Sequence, residues 1–349
     1  MLTQKEIQEI REHLENAKNP VFFFDNDPDG LSSFLILQRA IGKGRGVAIK
    51  SFPGLDKNYY KRVEEFNADY IFVLDKPLID QEFIDIAEKN NVPVVHIDHH
   101  NVNKSGAKYY YNTFYSSGNN ESVAYLCYQV TRRKQDMWLA LIGCITDSYL
   151  PDFTEEYRKE NSELLDFNYK TAPDILYNTR FGRAAMIISF AMKDKTSNVV
   201  SLMRFLMKAN GASDILEENA KTKTFLDRFN YMNEKYQKLI KKAEESVRGD
   251  ILFFTYSGDL SISQYTANEL FYKHPDKVVV VSYSQGGKAN VSLRWKNDIR
   301  TATINAIKDI DGATGGGHEH SVGAKIPFGS LEVFKVNLMR EIDLIENKK

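Results

Sequence analysis

The segment Val21–Phe24 (VFFF) runs directly into Asp25–Gly30 (DNDPDG), and this stretch decides the fold class of the chain. The apolar run predicts a buried strand, and the acidic residues with proline and glycine predict a turn that opens a helix. Alternate residues of an extended segment point the same way, so Asp25, Asp27 and Asp29 can converge. An aspartate-rich turn without further chemistry is the alternative, because aspartate favours turns and helix N-caps.

Short apolar strands continue to alternate with helices downstream of this segment. Further strands are predicted at Val47–Ser51, Tyr70–Leu74 and Pro93–Ile97. Helices are predicted at Leu31–Ile41, Lys57–Phe66, Ile79–Asn90, Glu121–Arg133 and Lys134–Thr146. This order is typical of a parallel sheet with helices on both faces, so the predicted fold class is α/β.

The second half of the chain has a different pattern. Residues 151–216 are predicted to be helical, and the charged stretch Leu216–Val247, which lacks glycine and proline, predicts a long connecting helix. Beyond it, strands are predicted at Ile251–Tyr256, Lys277–Tyr283 and Ala289–Trp295, and helices at Ser263–Tyr272 and Ile299–Ile307. A glycine run then precedes a last predicted strand and a C-terminal helix. We therefore expect an N-terminal parallel-sheet domain at 1–190, a helical linker at 191–249 and a smaller α/β domain at 250–349.

The composition limits the classes of function. Of the 349 residues, 42% are hydrophobic and 27% are charged, which excludes global disorder. The 46 Lys and Arg residues against 47 Asp and Glu residues give a net charge of −1, so a polyanion would be met in a local cleft rather than by overall attraction. The two cysteines, Cys127 and Cys144, form no CxxC motif, which excludes a disulfide scaffold and a cysteine-based zinc site.

The sequence also carries no membrane or export signal. Its longest apolar runs are far too short to cross a bilayer, and its polar N-terminal segment lacks an apolar signal core. We therefore expect a cytoplasmic protein with reduced thiols and no membrane partner.

Three of the predicted strands end in acids or histidines. Asp25 follows the first strand, Asp75 follows the third, and Asp98 with His99 and His100 follows the fourth. Ligands of open parallel sheets bind outside the carboxyl ends of the strands, so we expect these side chains at one edge. One such aspartate or a surface histidine pair is ordinary, but their coincidence on three strands is not.

A further acid and the mixture of residue types point to a metal ion. Asp147 ends an apolar helix, where the helix dipole favours a positive partner, although capping of the next segment is the alternative. Five aspartates and one or two histidines suit Mn²⁺ or Mg²⁺, and less specifically Zn²⁺. These carboxylates suffice for two ions with one bridging aspartate, and two ions about 3.5–4 Å apart can assist in-line phosphoryl displacement.

Four of these motifs together resemble those of the DHH phosphoesterase superfamily. They are Asp25-x-Asp27-x-Asp29-Gly30, Asp75, Asp98-His99-His100 and Asp147, in that order. Gly315-Gly316-Gly317-His318, followed by Gly323, resembles the GGGH signature of the DHH-associated C-terminal domain, and Ser292-Leu293-Arg294 resembles the strand before it. The resemblance covers nearly the whole chain and is weakest over 151–216.

The resemblance implies a role for each of these residues. The first of two Mn²⁺ or Mg²⁺ ions would be held by Asp25, Asp27 and Asp75. The second would be held by Asp29, Asp75, His99 and Asp147, with Asp75 bridging. Asp98 and His100 would be catalytic, with Asp98 orienting His99 and His100 facing the substrate phosphate. The substrate backbone would be bound by Arg294, Gly315, Gly316, Gly317 and His318.

Two departures and several exclusions narrow the expected activity. Asp25 stands where many relatives have histidine, as in RecJ-like nucleases, while Glu319 and His320 follow the glycine signature in place of small residues. The signature argues against inorganic pyrophosphatases, and membrane-bound cyclic-dinucleotide phosphodiesterases carry segments not seen here. The resemblance therefore implies an archaeal-type RecJ-like exonuclease acting on single-stranded DNA or RNA.

Two alternatives remain open at this point. One is an oligonucleotide or nucleotide phosphatase, like a nanoRNase or pAp-phosphatase. The other is a noncatalytic replisome scaffold, since some relatives bind replication or helicase proteins. The complete set of expected metal ligands argues against the scaffold, because a scaffold has no need to retain them.

Overall fold

The computed structural model describes residues 1–49, 54–101, 105–118, 120–166, 168–247 and 249–347, and for residues 116 and 117 the backbone only. The chain divides into two compact units, Met1–Phe229 and Asn230–Lys349. The boundaries at 190 and 249 that the sequence pattern favours stay a prediction.

Five parallel strands form the sheet of the first unit. They are β1 (Pro20–Asp25), β2 (Arg45–Ile49), β3 (Tyr70–Leu74), β4 (Val94–Asp98) and β5 (Tyr109–Asn112). Their order across the sheet is β2-β1-β3-β4-β5, and every neighbouring pair is parallel. The predicted parallel sheet is therefore confirmed. Lys50 and Ser51, at the end of one predicted strand, lie outside the described residues.

Helices connect and cover these strands. The α-helices of the first unit are α1 (Gln4–Asn16), α2 (Pro28–Ile41), α3 (Tyr60–Glu65), α4 (Gln81–Lys89), α5 (Thr113–Ser117), α6 (Val123–Thr131), α7 (Met137–Thr146), α8 (Thr154–Glu160), α9 (Ala172–Asn178), α10 (Arg180–Ala191), α11 (Thr196–Leu206) and α12 (Ser213–Leu216). Short 3₁₀ turns at Lys57–Tyr59 and Lys134–Asp136 precede α3 and α7. The helix α13 (Lys223–Glu245) follows, and the division between the units falls within it.

The interior strand β1 shows why the sheet is covered on both faces. Its three phenylalanines are fully buried and point alternately to opposite sides. Phe24 stacks on Phe34 of α2, with ring centroids 5.1 Å apart, whereas Phe23 packs edge-on against Phe83 of α4 at 5.6 Å. The apolar run therefore packs against helices on both faces, which suits β1 to an interior position in the sheet.

The second unit has a mixed sheet. Its strands are β6 (Ile251–Ser257), β7 (Val278–Gln285), β8 (Lys288–Arg294), β9 (Thr314–His318) and β10 (Ser321–Pro327), in the order β6-β7-β8-β10-β9. Among these described strands, the β6–β7 pair is parallel and the other pairs are antiparallel. The helices are α14 (Ser263–Lys273), α15 (Ile299–Ile307) and α16 (Leu331–Glu346), with a 3₁₀ turn at Phe328–Ser330. A smaller α/β unit is thus confirmed.

The sequence patterns do not predict two of the observed strands, β5 and β9. The tyrosine-rich β5 joins the edge of the first sheet, and the glycine-rich β9 joins the edge of the second. Glycine carries little strand propensity, so β9 forms only because β10 pairs with it. No helix in the described parts of the chain combines the length and apolar character that crossing a bilayer requires.

Candidate metal centre

The turn after β1 presents its first two aspartates at the carboxyl edge of the sheet. Asp25 is the last residue of β1, and Asp27 is the N-cap of α2, where its Oδ1 accepts a hydrogen bond from the Gly30 amide at 2.9 Å. Gly30 is required here, because a Cβ at this position would lie 2.5 Å from the carbonyl oxygen of Asp25. Asp27 therefore does cap a helix, as the alternative interpretation of the aspartate-rich turn expects. Its carboxylate nevertheless remains at the carboxyl edge of the sheet.

Asp29 is buried and joins two helices. Its Oδ1 accepts hydrogen bonds from the Ser122 hydroxyl at 2.7 Å and the Ala124 amide at 2.8 Å, and its Oδ2 accepts one from the Val123 amide at 2.9 Å. The carboxylate therefore satisfies the first amides of α6 and lies at the positive end of that helix. A carboxylate has about four lone-pair directions, so one remains for a cation.

Asp75 lies directly after β3 in a strained backbone conformation. Its φ of 56° is in the left-handed region, which is uncommon for a residue with a side chain and clusters at functional sites. The side chain is buried, and its Oδ1 has no hydrogen-bond partner among the described residues. The Nε2 of His99 lies 3.3 Å and the Nδ1 of His100 3.9 Å from that oxygen. A buried carboxylate oxygen without a hydrogen bond is available as a ligand for a cation.

The two histidines after β4 have different neighbours. His99 is buried, and its Nδ1 lies 3.6 Å from Oδ2 of Asp147. His100 is partly exposed, and its Nδ1 lies 2.9 Å from Oδ1 of Asp98, whose Oδ2 accepts the His100 backbone amide at 3.1 Å. The resemblance assigned Asp98 to His99, whereas the hydrogen bonds seen here join it to His100.

Within the described ranges, two groups of side chains have the spacing of a metal site. One consists of Asp75, His99 and His100, and the other of Asp29, His99 and Asp147, with one ligand atom from each residue within 4.8 Å of the others. Asp147 ends α7 with a side chain that is 36% exposed. Elements far apart in the chain thus bring four of the six expected ligands together.

The pKa values show how much negative charge this edge concentrates. Burial, reinforced by Asp25 and Asp29, raises the pKa of Asp27 to about 7. Burial and the surrounding carboxylates raise the pKa of Asp75 well above its usual range. Burial disfavours the charged form of His100, but the hydrogen bond and charge of Asp98 outweigh it and raise the His100 pKa.

A divalent cation fits this donor set. The carboxylates would otherwise repel one another, and the mixture of carboxylate oxygens with one or two imidazoles suits Mn²⁺, Mg²⁺ or Zn²⁺. The buried Oδ1 of Asp75 gives such an ion an otherwise unused acceptor. The residues therefore support a divalent metal at the strand ends.

We expect the metal-free protein to gain stability as the pH falls from 8 to 5. Folded Asp27, with its raised pKa, holds a proton across a range in which an unfolded aspartate does not. The folded state therefore binds more protons, and the free energy of unfolding rises by on the order of 2 kcal/mol as the pH falls. Denaturant unfolding in EDTA at both pH values measures this gain.

Asp27→Asn is the matched variant for that measurement. Asparagine caps a helix about as well as aspartate, so α2 should persist while the titration is lost. Other groups, including His13 and His96 with lowered pKa values, titrate equally in both proteins. An unchanged pH slope in Asp27→Asn would show that the cluster does not hold the proton at this residue.

Lys76 is a site residue whose role the sequence did not reveal. It is buried, and its ammonium donates a hydrogen bond to Oδ1 of Asp25 at 2.7 Å. A lysine directly after a buried strand and beside an aspartate is the only sequence signal, and it does not show which way the side chain turns.

In the second unit, strand register places the expected substrate-binding residues on one face. Ser321 of β10 pairs with Arg294 of β8 on one side and with His318 of β9 on the other. The adjacent row is Ser292, Gly323 and Gly316. Directly paired residues share a face of the sheet, so Arg294, His318 and Gly316 lie on the same side. Arg294 is held there by its Nε, which donates to Oδ1 of Asn268 at 2.6 Å.

The three glycines of the signature differ in their surroundings. An added Cβ at Gly316 would meet nothing within 4 Å, whereas at Gly315 it would lie 3.1 Å from Ile307 of α15. Gly317 has a φ of 144°, and its Cβ would lie 2.4 Å from the Ser321 carbonyl oxygen. Gly316 therefore offers an open approach to the backbone, while the other two serve packing and the turn.

Glu319 and His320 form the turn between β9 and β10. The Glu319 carbonyl accepts the Ile299 amide at 2.9 Å, and the His320 carbonyl accepts the Trp295 amide at 3.2 Å. These backbone contacts tie the turn to the start of α15. Both side chains are exposed, which explains why larger residues are accommodated after the signature.

Comparisons with known proteins bear on the fold. No family model matches the chain, and a search of curated proteins gives no match. Among solved structures, the DHH domain of a protein described as a member of a family of ribosomal proteins aligns with a TM-score of 0.70 at 15% identity, over 97% of this chain and 90% of that one. RecJ from Thermus thermophilus in complex with Mn²⁺ aligns with a TM-score of 0.66 at 16% identity. The chain has a RecJ-like DHH phosphoesterase fold.

The DHH fold therefore confirms the resemblance at the level of architecture. This chain is covered over 96% of its length in the Thermus thermophilus comparison but spans only 53% of that RecJ. A pGpG-specific phosphodiesterase, PggH from Vibrio cholerae, is also similar, with a TM-score of 0.54, 11% identity, and 93% of this chain and 99% of that chain covered. A protein described as RecJ and one described as a pGpG-specific phosphodiesterase are thus both similar in fold to this chain.

Proposed function

We propose that this protein is a divalent-metal-dependent phosphodiesterase. The observation that supports it best is that Asp29, Asp75, His99 and Asp147 belong to two overlapping groups with the spacing of a metal site. In addition, the buried Oδ1 of Asp75 has no hydrogen-bond partner among the described residues. A buried set of like charges is costly unless a cation balances it. Its position outside the carboxyl ends of parallel strands is where α/β folds bind ligands.

The bound ion would supply Lewis-acid polarisation and charge neutralisation at a phosphoryl group. Those four residues would hold it, and Asp25 and Asp27 extend the carboxylate edge. His100 would contact the substrate phosphate directly. Asp98 fixes the orientation of its ring and favours its protonated form, which donates a hydrogen bond to an anionic oxygen.

We further propose that the substrate is single-stranded DNA or RNA, shortened from an end. The supporting feature is the face formed by Arg294, His318 and Gly316 in the second unit. The open backbone at Gly316 allows a phosphate close approach. Arg294 lies on the same face but is buried, and its Nε and Nη1 already donate to Asn268 and to the Leu293 carbonyl, so we expect it to act mainly through its positive charge. These contacts read the phosphate backbone, so sequence preference should be weak and binding should weaken with salt.

Gly316→Ala should weaken substrate binding without affecting the fold. Its Cβ enters open space and its φ is not positive, so thermal unfolding should stay unchanged. The methyl group blocks the approach of a phosphate, and we expect KM for a single strand to rise by about 10-fold or more, the cost of one weakened charge-assisted contact. Gly329→Ala, also in open space, is the control. A wild-type KM for Gly316→Ala would contradict the proposal that this face binds the substrate.

The substrate proposal is tested by one panel with Mn²⁺. An end-labelled linear single strand, its blunt duplex, a circular single strand and the dinucleotide pGpG are incubated separately, as DNA and RNA where applicable. A ladder of shortened products from the linear strand alone supports the exonuclease. Cleavage of the circle at an equal rate contradicts action from an end.

A second candidate is a phosphodiesterase for very short oligonucleotides. It is favoured by the similarity of the fold to the pGpG-specific enzyme, which is matched over 93% of this chain. Turnover of pGpG alone in the panel would select it over the exonuclease. Turnover of none of these substrates would favour a noncatalytic scaffold.

We also keep the cytoplasm as the proposed compartment and replication or helicase proteins as proposed partners. Cys127 and Cys144 are buried free thiols, the state expected in a reducing compartment. Purification of the tagged protein from its own cells tests the partners, since replication subunits should be retained at stoichiometric levels. Their absence at low salt would contradict the partnership.

A further inference from the structure

The ammonium group of Lys76 contacts Asp25, one of the aspartates that the resemblance assigns to metal binding. It lies 2.7 Å from Oδ1 of Asp25, and the Lys76 and Asp25 side chains are only 6% and 23% exposed. Lysine is rarely buried unless its charge is paired, and Asp25 provides that pairing. This is therefore a fixed internal ion pair rather than a surface contact.

The backbone around Lys76 is fixed as well. Its carbonyl oxygen lies 2.8 Å from Nε2 of the fully buried His96, whose Nδ1 lies 2.9 Å from the Ser105 hydroxyl. On the other side, Asp75 adopts its left-handed conformation. Together these features hold the lysine in one position, in which its ammonium reaches the end of β1.

The metal-compatible groups are formed by residues other than the aspartate that Lys76 contacts. Within the described residues, the two groups are Asp75 with His99 and His100, and Asp29 with His99 and Asp147, so both contain His99. Neither group contains Asp25 or Asp27, the aspartates that the family pattern assigns to a first ion. Asp25 is engaged by Lys76, and Asp27 caps α2.

We propose that Lys76 supplies the positive charge that the family pattern assigns to the first metal ion, so that this chain holds one divalent ion, on the His99 side. This inference rests on the proposed function. An ammonium is a compact point charge with three donors, which suits it to several carboxylate oxygens. A divalent ion held by Asp25 would have to approach within a few ångströms of that ammonium, where like charges repel strongly.

Metal stoichiometry in the purified full-length protein tests this inference. Isothermal titration with MnCl₂, with electron paramagnetic resonance of the loaded protein, should show one Mn²⁺ per chain and no exchange-coupled manganese pair. Lys76→Met keeps the bulk of the side chain without its charge, and should bind two Mn²⁺ with a coupled-pair signal. Lys61→Met, on an exposed lysine of α3, should keep the wild-type value of one.

Each outcome decides between distinct claims. Two Mn²⁺ ions of similar affinity in the wild type would overturn the role of Lys76 and leave the metal-dependent function intact. No Mn²⁺ in the wild type would overturn the proposed function as well. If Lys76→Met is folded by circular dichroism and still binds one ion, the lysine does not replace a metal.

The double variant Asp25→Asn/Lys76→Met covers the case in which Lys76→Met does not fold. It removes both members of the ion pair, which leaves no unpaired buried charge. With Asp25 neutralised, we expect one Mn²⁺ per chain. Two ions in this variant would show that Asp25 is not a ligand of the site that Lys76 occupies, and would overturn the inference.

Discussion

Asp75→Asn should abolish metal binding and phosphodiester hydrolysis together, while raising the stability of the metal-free protein. The carboxylate is buried and its Oδ1 lacks a hydrogen bond within the described part of the chain. This burial, together with the neighbouring acids, raises the pKa of Asp75. Loss of a group that only supports a ligand costs about 10–100-fold in metal affinity, so loss of a central ligand should exceed about 100-fold. Removing one of several mutually repelling acids should also raise the unfolding midpoint in EDTA.

Loss of metal binding together with a gain in stability distinguishes loss of a metal ligand from general misfolding, which would lower both. Mn²⁺ titration, turnover and thermal unfolding in EDTA are measured on the same preparation. Asp85→Asn, on an exposed carboxylate of α4, should leave all three at wild-type values. Near-normal Mn²⁺-dependent turnover in Asp75→Asn would contradict the assignment of Asp75 to the metal.

His100→Asn should lower kcat while leaving Mn²⁺ affinity close to the wild type. Asp98 orients the imidazole and raises its pKa, which makes it a donor to a phosphoryl oxygen. Removal of one positioned donor to a developing negative charge costs about 10²–10³-fold in kcat, and we expect kcat to fall by that amount. Steady-state kinetics at saturating Mn²⁺ and a separate Mn²⁺ titration provide the two readouts.

The Mn²⁺ titration distinguishes the two roles that the geometry allows for His100. Its Nδ1 lies 3.9 Å from Oδ1 of Asp75, and it belongs to one of the metal-compatible groups. A large loss of Mn²⁺ affinity in His100→Asn would make it a ligand rather than a contact to substrate. His274→Asn, after α14 of the second unit, is the control and should keep wild-type kcat and Mn²⁺ affinity.

The sequence predicts most of the first unit because its strands are apolar runs bounded by turn signals. Tyr70–Leu74 is predicted and observed with the same bounds, and Ile299–Ile307 likewise in the second unit. The sequence does not predict the edge strands β5 and β9, because tyrosine and glycine runs lack the apolar pattern of a buried strand. Such strands depend on a neighbour that already exists.

The site is predictable where topology alone fixes it. Parallel strands end at one edge, so Asp25, Asp75 and His99 are expected there from their place in the chain. The partners of these side chains are not, because they come from distant segments. Ser122 reaches Asp29 only after α6 packs on α2, and Lys76 reaches Asp25 only after β3 pairs with β1.

Hydrolysis of bis(p-nitrophenyl) phosphate under metal control tests the metal-dependent phosphodiesterase most directly, because this chromogenic diester requires no knowledge of the natural substrate. Protein stripped with EDTA should release no p-nitrophenol, and added Mn²⁺ should restore release in the wild type and not in Asp75→Asn. Equal release in EDTA and Mn²⁺, or equal release by the wild type and Asp75→Asn, would contradict a metal-dependent phosphodiesterase at this site.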